Sequence, residues 1–259
     1  MINDLKLGIK LMRYAYMVKA NVAIAILMVI FGVFVTLGVN LSGVASNMPG
    51  GYIVMLAPLF LTQMLSSVSV TNMAQASSAK RRLQTSVPTA INLFSTLLGY
   101  FIVSIAEFIC VAALPERRDI ICGELFFIAA LSALLIIYAS VAYKFFVISI
   151  LLFVPALLSS VYFRNAIGWG TELFAGMKHL FAFTVFAGIV IIAAACVLHY
   201  FITLAMYKVP MSKYAQALRC GASCNLGAVA LALDHGILRL FCTEVLRTTG
   251  VKSRYFCPH

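Results

Sequence analysis

Six long apolar segments, separated by short polar stretches, follow one another along the chain. They cover residues 21–41, 52–74, 90–114, 122–143, 145–163 and 181–207. Each lies near the roughly 20 residues that an α-helix needs to cross the hydrocarbon core of a bilayer. The fourth and fifth segments meet at Lys144, where we expect a tight turn, because one helix over both would far exceed the membrane thickness. The pattern predicts an all-α integral membrane protein with six transmembrane helices.

The first 19 residues have a different periodicity. Apolar side chains recur at steps of three and four, at Leu5, Ile9, Met12 and Tyr16, and mostly polar residues occupy the other face. This pattern predicts an N-terminal amphipathic interfacial helix with its lysines toward anionic headgroups. The alternative is an ordinary charged flank of the first span. The predicted organisation is an interfacial helix over 1–19, a six-span domain over 20–210 and a cytoplasmic tail of unknown structure over 211–259.

The composition agrees with lipid as the main solvent of this chain. Hydrophobic residues make up 63% of the 259 residues and charged residues only 10%, whereas a soluble domain has about 25% charged residues. Too few polar side chains remain to cover a surface that faces water. Composition and periodicity therefore lead to the same class of protein.

The distribution of basic residues predicts the orientation. The net charge is +11, and with the N-terminus inside, all but four of the 19 Lys and Arg residues fall in cytoplasmic segments. The four exceptions are Arg117, Arg118, Arg164 and Lys178. The positive-inside rule therefore places both termini in the cytoplasm, with the spans in the cytoplasmic (plasma) membrane. No motif of interleaved aromatic and basic residues accompanies the charge, so we expect no nucleic-acid partner.

Polar residues inside the predicted spans are the candidates for function. Glu107 and His199 are taken as the ionisable residues well inside the spans. A carboxylate there is costly, so Glu107 either belongs to a transport pathway or forms a structural pair, and His199 is interpreted as an interhelical hydrogen-bonding residue. In the second span, Gln63, Ser66 and Ser67 belong to a wide polar stripe that should not face lipid. This stripe either lines the same pathway or binds a neighbouring helix.

The sequence has no recognisable motif for catalysis or cofactor binding. It lacks a Gly-rich phosphate loop, His-Glu-x-x-His and Gly-x-Ser-x-Gly. In the tail, Cys220-x-x-x-Cys224 with His235 and Cys242 is the one candidate zinc cluster, and Cys257 is the fourth cysteine of this region. Their spacing matches no standard zinc finger, and a cytosolic location disfavours disulfides. We therefore expect no enzyme activity, metal or cofactor in this chain.

A basic element occupies the predicted cytoplasmic loop between the second and third spans. It reads Lys80-Arg81-Arg82-Leu83-Gln84-Thr85-Ser86-Val87-Pro88. Together with the interfacial helix, the six spans and a short helical insertion expected at 164–180, it resembles the permease subunits of type-2 ABC exporters. The resemblance covers about residues 1–210, and the tail departs from it. The fold implied is that of an ABC exporter permease.

The resemblance has consequences for partners and site residues. It implies that two permease copies, or two homologous permeases, work with a separate ATP-binding-cassette ATPase that holds ATP and magnesium, since this chain has no Walker motif. It also implies that Lys80, Arg81, Arg82, Leu83 and Gln84 form a coupling helix. The cations would meet acidic residues of the ATPase, and Leu83 would be an apolar anchor. The substrate of such an exporter is not identified by the sequence.

Two other classes of function remain open. One is a secondary transporter or a substrate-binding membrane component without an ATPase of its own, and the other is a membrane scaffold or membrane enzyme. The shortage of charges inside the spans speaks against a carrier driven by protons or sodium. A neighbouring gene for an ATP-binding-cassette ATPase would favour the exporter.

Overall fold

The structure, a computed structural model, describes residues 2–15, 18–42, 50–69, 78–142, 155–156 and 181–208. The side chains of Gln63, Ser66 and Ser67 are not part of this description. Helices account for 94% of the described residues, and no strand occurs among them. The predicted fifth span at 145–163, except for Pro155 and Ala156, lies outside the described residues. The insertion at 164–180 and the tail at 211–259 also lie outside them.

Seven α-helices follow one another in the described part of the chain. They are α1 (Ile2–Met12), α2 (Val18–Ser42), α3 (Gly51–Ser69), α4 (Lys80–Gln84), α5 (Ser86–Ala113), α6 (Arg118–Ala142) and α7 (Phe181–Tyr207). A 3₁₀ turn at Pro115–Arg117 joins α5 to α6. Proline fits this position because the first turn of a helix does not need its missing N–H group.

Four helical stretches are long and apolar enough to cross a membrane. They are Val18–Ser42, Lys80–Ala113, Pro115–Ala142 and Phe181–Tyr207, and they correspond to the first, third, fourth and sixth predicted spans. The helix α3 falls on the predicted second span, and its described stretch Gly51–Thr62 is a shorter apolar helix than these four. The described part is therefore all-helical with four candidate spans, and the number six stays a prediction.

The core lies where α3, α5, α6 and α7 meet. Val54, Leu125, Ile128 and Ile192 are fully buried there. Large apolar side chains also cover the outside of the bundle, among them Phe34, Phe101, Phe108, Phe186 and Phe201. Exposing such an apolar surface to water is unfavourable, whereas exposing it to lipid is not. This arrangement therefore suits a helix bundle in a bilayer.

The helices α2 and α3 approach closely at two glycines. A Cβ atom at Gly32 would lie 2.6 Å from Val54 Cγ2 and 2.8 Å from the carbonyl oxygen of Gly50. Small residues allow such contact between membrane helices. This contact fixes α2 against the bundle and brings Asn40, near its end, to the bundle interior.

The N-terminal helix α1 packs against protein. A Cβ atom at Gly8 would lie 2.7 Å from Ile91 Cγ1 of α5. Its leucines and Met12 pack against a cluster of Leu65, Leu83, Val87 and Ile91. Ile9, which belongs to the predicted apolar stripe, is 49% exposed, because the contact face is centred on Gly8 instead. The location of α1 at the membrane interface stays a prediction.

Candidate functional site

The basic loop element contains a short separate helix. The chain breaks between α4 and α5 at Thr85, whose φ and ψ are −119° and −76°. Its hydroxyl donates to the carbonyl oxygen of Arg81 at 2.8 Å. Pro88 has no N–H group to donate to Gln84, so a continuous helix would lose a hydrogen bond here. The sequence thus favours a short helix followed by a long one.

The five residues of α4 divide into an outer and an inner group. Lys80 is half-buried, and Arg81 and Arg82 are exposed. Leu83 is only 8% exposed and packs among Leu65, Val87 and Ile91, and Gln84 is buried as well. The expected role of Leu83 as an anchor on a partner does not fit this placement, because α1 and α5 already cover its side chain.

Two of the three cations on α4 contact other helices. Arg82 Nε lies 2.5 Å from Asp4 Oδ1 of α1, and Lys80 Nζ lies 5.9 Å from the ring centre of Tyr207 on α7. Burial would raise the pKa of the Asp4 carboxyl, but the hydrogen bond and the charge of Arg82 lower this pKa below its ordinary value. Arg82 and Lys80 therefore tie the element to α1 and α7, whereas the exposed Arg81 makes neither of these contacts.

A buried carboxylate forms the second candidate site. Glu107 of α5 is fully buried, and its Oε2 accepts a hydrogen bond of 2.7 Å from Asn40 Nδ2 of α2. Its Oε1 has no hydrogen-bond partner among the described residues. Arg117 Nη1 donates to the backbone oxygen of Asn40 at 2.9 Å. The structure thus joins Glu107 to the end of α2 through Asn40, and Asn40 in turn to the 3₁₀ turn after α5.

A second carboxylate, which the sequence analysis left out, lies beside this site. Glu124 of α6 is buried and interacts electrostatically with Glu107. The turn at Leu114–Arg117 explains the pairing. Glu107 lies seven positions before this turn and Glu124 seven positions after it, so both lie about 10 Å along their helices from the turn and at the same level of the bundle. The prediction named only Glu107 and His199 as ionisable residues well inside the spans, and Glu124, the third residue of the predicted span 122–143, is a further buried carboxylate. An acidic residue near the start of the predicted span 122–143 was the available signal.

His199 lies near the opposite end of α5. It is buried, and its Nδ1 lies 2.9 Å from the hydroxyl oxygen of Thr89. This contact joins α7 to the first turns of α5 and agrees with the predicted interhelical role. The structure does not bring His199 and Glu107 together.

Two small cavities lie near the α4 end of the bundle. In each of them, the centre of a water molecule can occupy a volume of about 10 Å³. The first cavity is lined by Thr62, Ser69, Gln84, Pro88, Ala139, His199 and Thr203. The second is lined by Met55, Pro58, Leu59, Asn92, Thr96, Ser132, Leu135 and Ile136. Each therefore has room for about one water molecule.

A polar face along α5 connects the neighbourhoods of these sites. Asn92, Thr96, Tyr100 and Ser104 recur at intervals of four, Glu107 follows three residues later, and all are buried. Residues at these intervals share one helix face. The sequence pattern predicted such a stripe only in the second span, and this stripe in the third span was not predicted. The candidate pathway residues Gln63, Ser66 and Ser67 lie outside the described side chains.

Within the part of the chain that the structure describes, no group of three or more His, Cys, Asp or Glu residues is placed to hold a metal ion. No family model matches the chain, and no curated protein or solved structure matches it either.

Proposed function

We propose that this chain is the transmembrane permease subunit of an ATP-driven exporter. It moves a substrate across the cytoplasmic membrane together with a separate ATP-binding-cassette ATPase, which holds ATP and magnesium, and with a second permease copy. The observation that carries the proposal is α4, a short basic helix that is separate from α5 and has Arg81 exposed. Exposed cations of this kind suit an acidic groove on a partner.

The inner side of α4 supplies the connection to the spans. Leu83 packs among α1, α3 and α5, and Gln84 lines a cavity together with His199 of α7. A displacement of α4 by the ATPase would therefore act on several helices at once. In this proposal the cations bind the partner, and Leu83 and Gln84 pass the movement into the bundle.

The test is a charge reversal at Arg81. The tagged chain is isolated from native membranes, and an ATP-binding-cassette protein that hydrolyses ATP is sought among the co-purified proteins. Arg81→Glu should remove this ATPase from the complex, whereas Lys19→Glu, the same charge change at an exposed position of α2, should retain it. The bilayer would still hold the loop in place in both variants, because each loses only about 1 kcal/mol per charge at an anionic surface. Retention of the ATPase by Arg81→Glu would refute docking through α4.

A carrier coupled to protons or cations is the second candidate. It is favoured by the buried pair of Glu107 and Glu124, since carboxylates inside a membrane bundle often mark ion pathways. In this case Glu107→Gln should change transport while insertion and folding stay intact. Transport that is unchanged in Glu107→Gln would make the carboxylate a structural partner of Asn40.

A further inference from the structure

The buried polar face of α5 extends over most of a membrane's depth. From Asn92 to Glu107 it covers 15 residues, or about 22 Å of helix, compared with about 30 Å of hydrocarbon. All of its polar members are buried, so they face the interior of the bundle.

The half of this face next to α4 has room for water. Gln84 Nε2 and Asn92 Nδ2 are buried without a hydrogen-bond partner among the described residues, and each side chain lines one of the two cavities. Thr62 lines the first cavity, and its hydroxyl oxygen lies 3.4 Å from Asn92 Oδ1 at the second. Ordered water satisfies buried donors of this kind where a cavity has polar walls. Water in both cavities would form one hydrated seam through the contact between Thr62 and Asn92.

The protonation of His199 suits a water in the first cavity. Thr89 donates its hydroxyl hydrogen to the carbonyl oxygen of Thr85 at 2.9 Å, so it accepts from His199 Nδ1. In a neutral imidazole the other nitrogen, Nε2, is then an acceptor. A water molecule in the first cavity can accept from Gln84 Nε2, which has no hydrogen-bond partner among the described residues.

The other half of the face leads to the carboxylate. Ser104 lies one turn from Tyr100, to whose carbonyl oxygen its hydroxyl donates at 2.8 Å. Glu107 follows, with an oxygen that has no partner among the described residues. The two polar halves are therefore separated on α5 by Tyr100 alone.

Tyr100 fills the space between α5 and α7. Gly188 of α7 lies against the hydroxyl of Tyr100. A Cβ atom at position 188 would overlap this hydroxyl. The Tyr100 hydroxyl lies 3.5 Å from the carbonyl oxygen of Thr184 and also interacts with the Ser104 side chain. Because packing between α5 and α7 holds the Tyr100 side chain in place, a separation of the two helices would free it to turn.

We propose that Tyr100 is the closed gate of a hydrophilic path that runs along α5, from the hydrated seam at Gln84 and Asn92 to the carboxylate of Glu107. This inference rests on the proposed transport function and names the route inside the bundle. The polar part of its lining next to α4 consists of uncharged amides, hydroxyls and a histidine, and the rest of this lining is apolar. The path therefore suits protons, water and uncharged hydrogen-bonding groups.

The test opens the gate and measures a leak in the full-length protein. Wild type and variants are placed in liposomes that contain a pH-sensitive dye, and proton entry is followed after an external acid pulse. Tyr100→Ala should raise proton entry severalfold over wild type. The control is Ile128→Ala, which removes a fully buried side chain from the same core but not from the polar face, and it should stay at the wild-type rate. Equal rates in both variants would overturn the proposal.

A second substitution tests the route. Adding Asn92→Leu to Tyr100→Ala places an apolar side chain in the seam and should return proton entry to the wild-type rate. A leak that persists in the double variant would show that protons take another way, and the path along α5 would be wrong.

The wild-type protein gives a test that does not depend on the folding of a variant. In lipid bilayers, magnetisation should pass from water to the side-chain amides of Gln84 and Asn92 in solid-state NMR spectra, and not to the backbone amide of Ile128. Dry side chains at both positions would exclude the seam. Each outcome is separate from the ATPase test, because a leak through Tyr100→Ala needs no partner, and ATPase binding through Arg81 needs no path.

Discussion

The docking of α1 onto α4 allows a quantitative prediction for Leu83→Ala. The side chain of Leu83 is buried between α1 and the α3–α5 face, and shortening a buried leucine to alanine costs about 2–5 kcal/mol. Only part of its contacts belongs to α1, so we assign the lower end, about 2 kcal/mol, to the docking of this helix. This loss corresponds to an increase of about 30-fold in the population with α1 detached.

Hydrogen–deuterium exchange in lipid nanodiscs measures this population directly. Exchange of the α1 amides should accelerate about 30-fold in Leu83→Ala, and the amides of α6 should keep their wild-type rates, because local opening leaves the rest of the bundle folded. Ile9→Ala is the matched control, since it shortens a half-exposed side chain of α1 itself and should leave exchange unchanged. Unchanged α1 exchange in Leu83→Ala, or an equal acceleration in α6, would refute the assigned contact.

Three further predictions concern other contacts. The pKa of Asp4 is lower in the folded state than in the unfolded chain. Its pair with Arg82 therefore stabilises α1 fully above the ordinary carboxyl pKa, and this stability is lost as the pH falls through the lower folded-state pKa. The difference in thermal unfolding midpoint between wild type and Arg82→Gln should consequently vanish in acid. Gly188→Ala should lower the unfolding midpoint, because its Cβ overlaps Tyr100, and a Tyr100→Leu background should reduce the loss; an equal loss in both backgrounds would contradict this contact. A cysteine introduced at Ser78 should not react with an impermeant thiol reagent from outside, and strong external labelling would reverse the predicted orientation.

The helical class was predictable because it depends on local chemistry. Apolar segments longer than about 20 residues have few alternatives to a membrane helix, and the described helices α2, α5, α6 and α7 fall on predicted spans. The short helix before Pro88 also follows from local rules, since proline interrupts hydrogen bonding at a known distance. These features need no knowledge of which helices touch.

The inner contacts were not predictable in this way. The sequence shows Leu83 among charged neighbours, which is typical of an exposed loop. Its burial depends on α1, a segment more than 70 residues away, because Gly8 lets that helix approach. The pairing of Glu107 with Glu124 likewise needs the turn between α5 and α6. Polar spacing of four along α5 was visible in the sequence, but its meaning required the cavities beside it.

The two candidate functions place the energy input at opposite ends of α5. An ATPase would act on α4, and the movement would enter the hydrated seam first and reach Glu107 last. A proton-driven carrier would begin at Glu107, and the cations of α4 would only hold the loop at the membrane surface. In both cases Tyr100 lies between the input and the far half of the path, because the polar face continues on either side of it. The gate is therefore the common element of the two mechanisms, and the end of α5 that drives it decides between them.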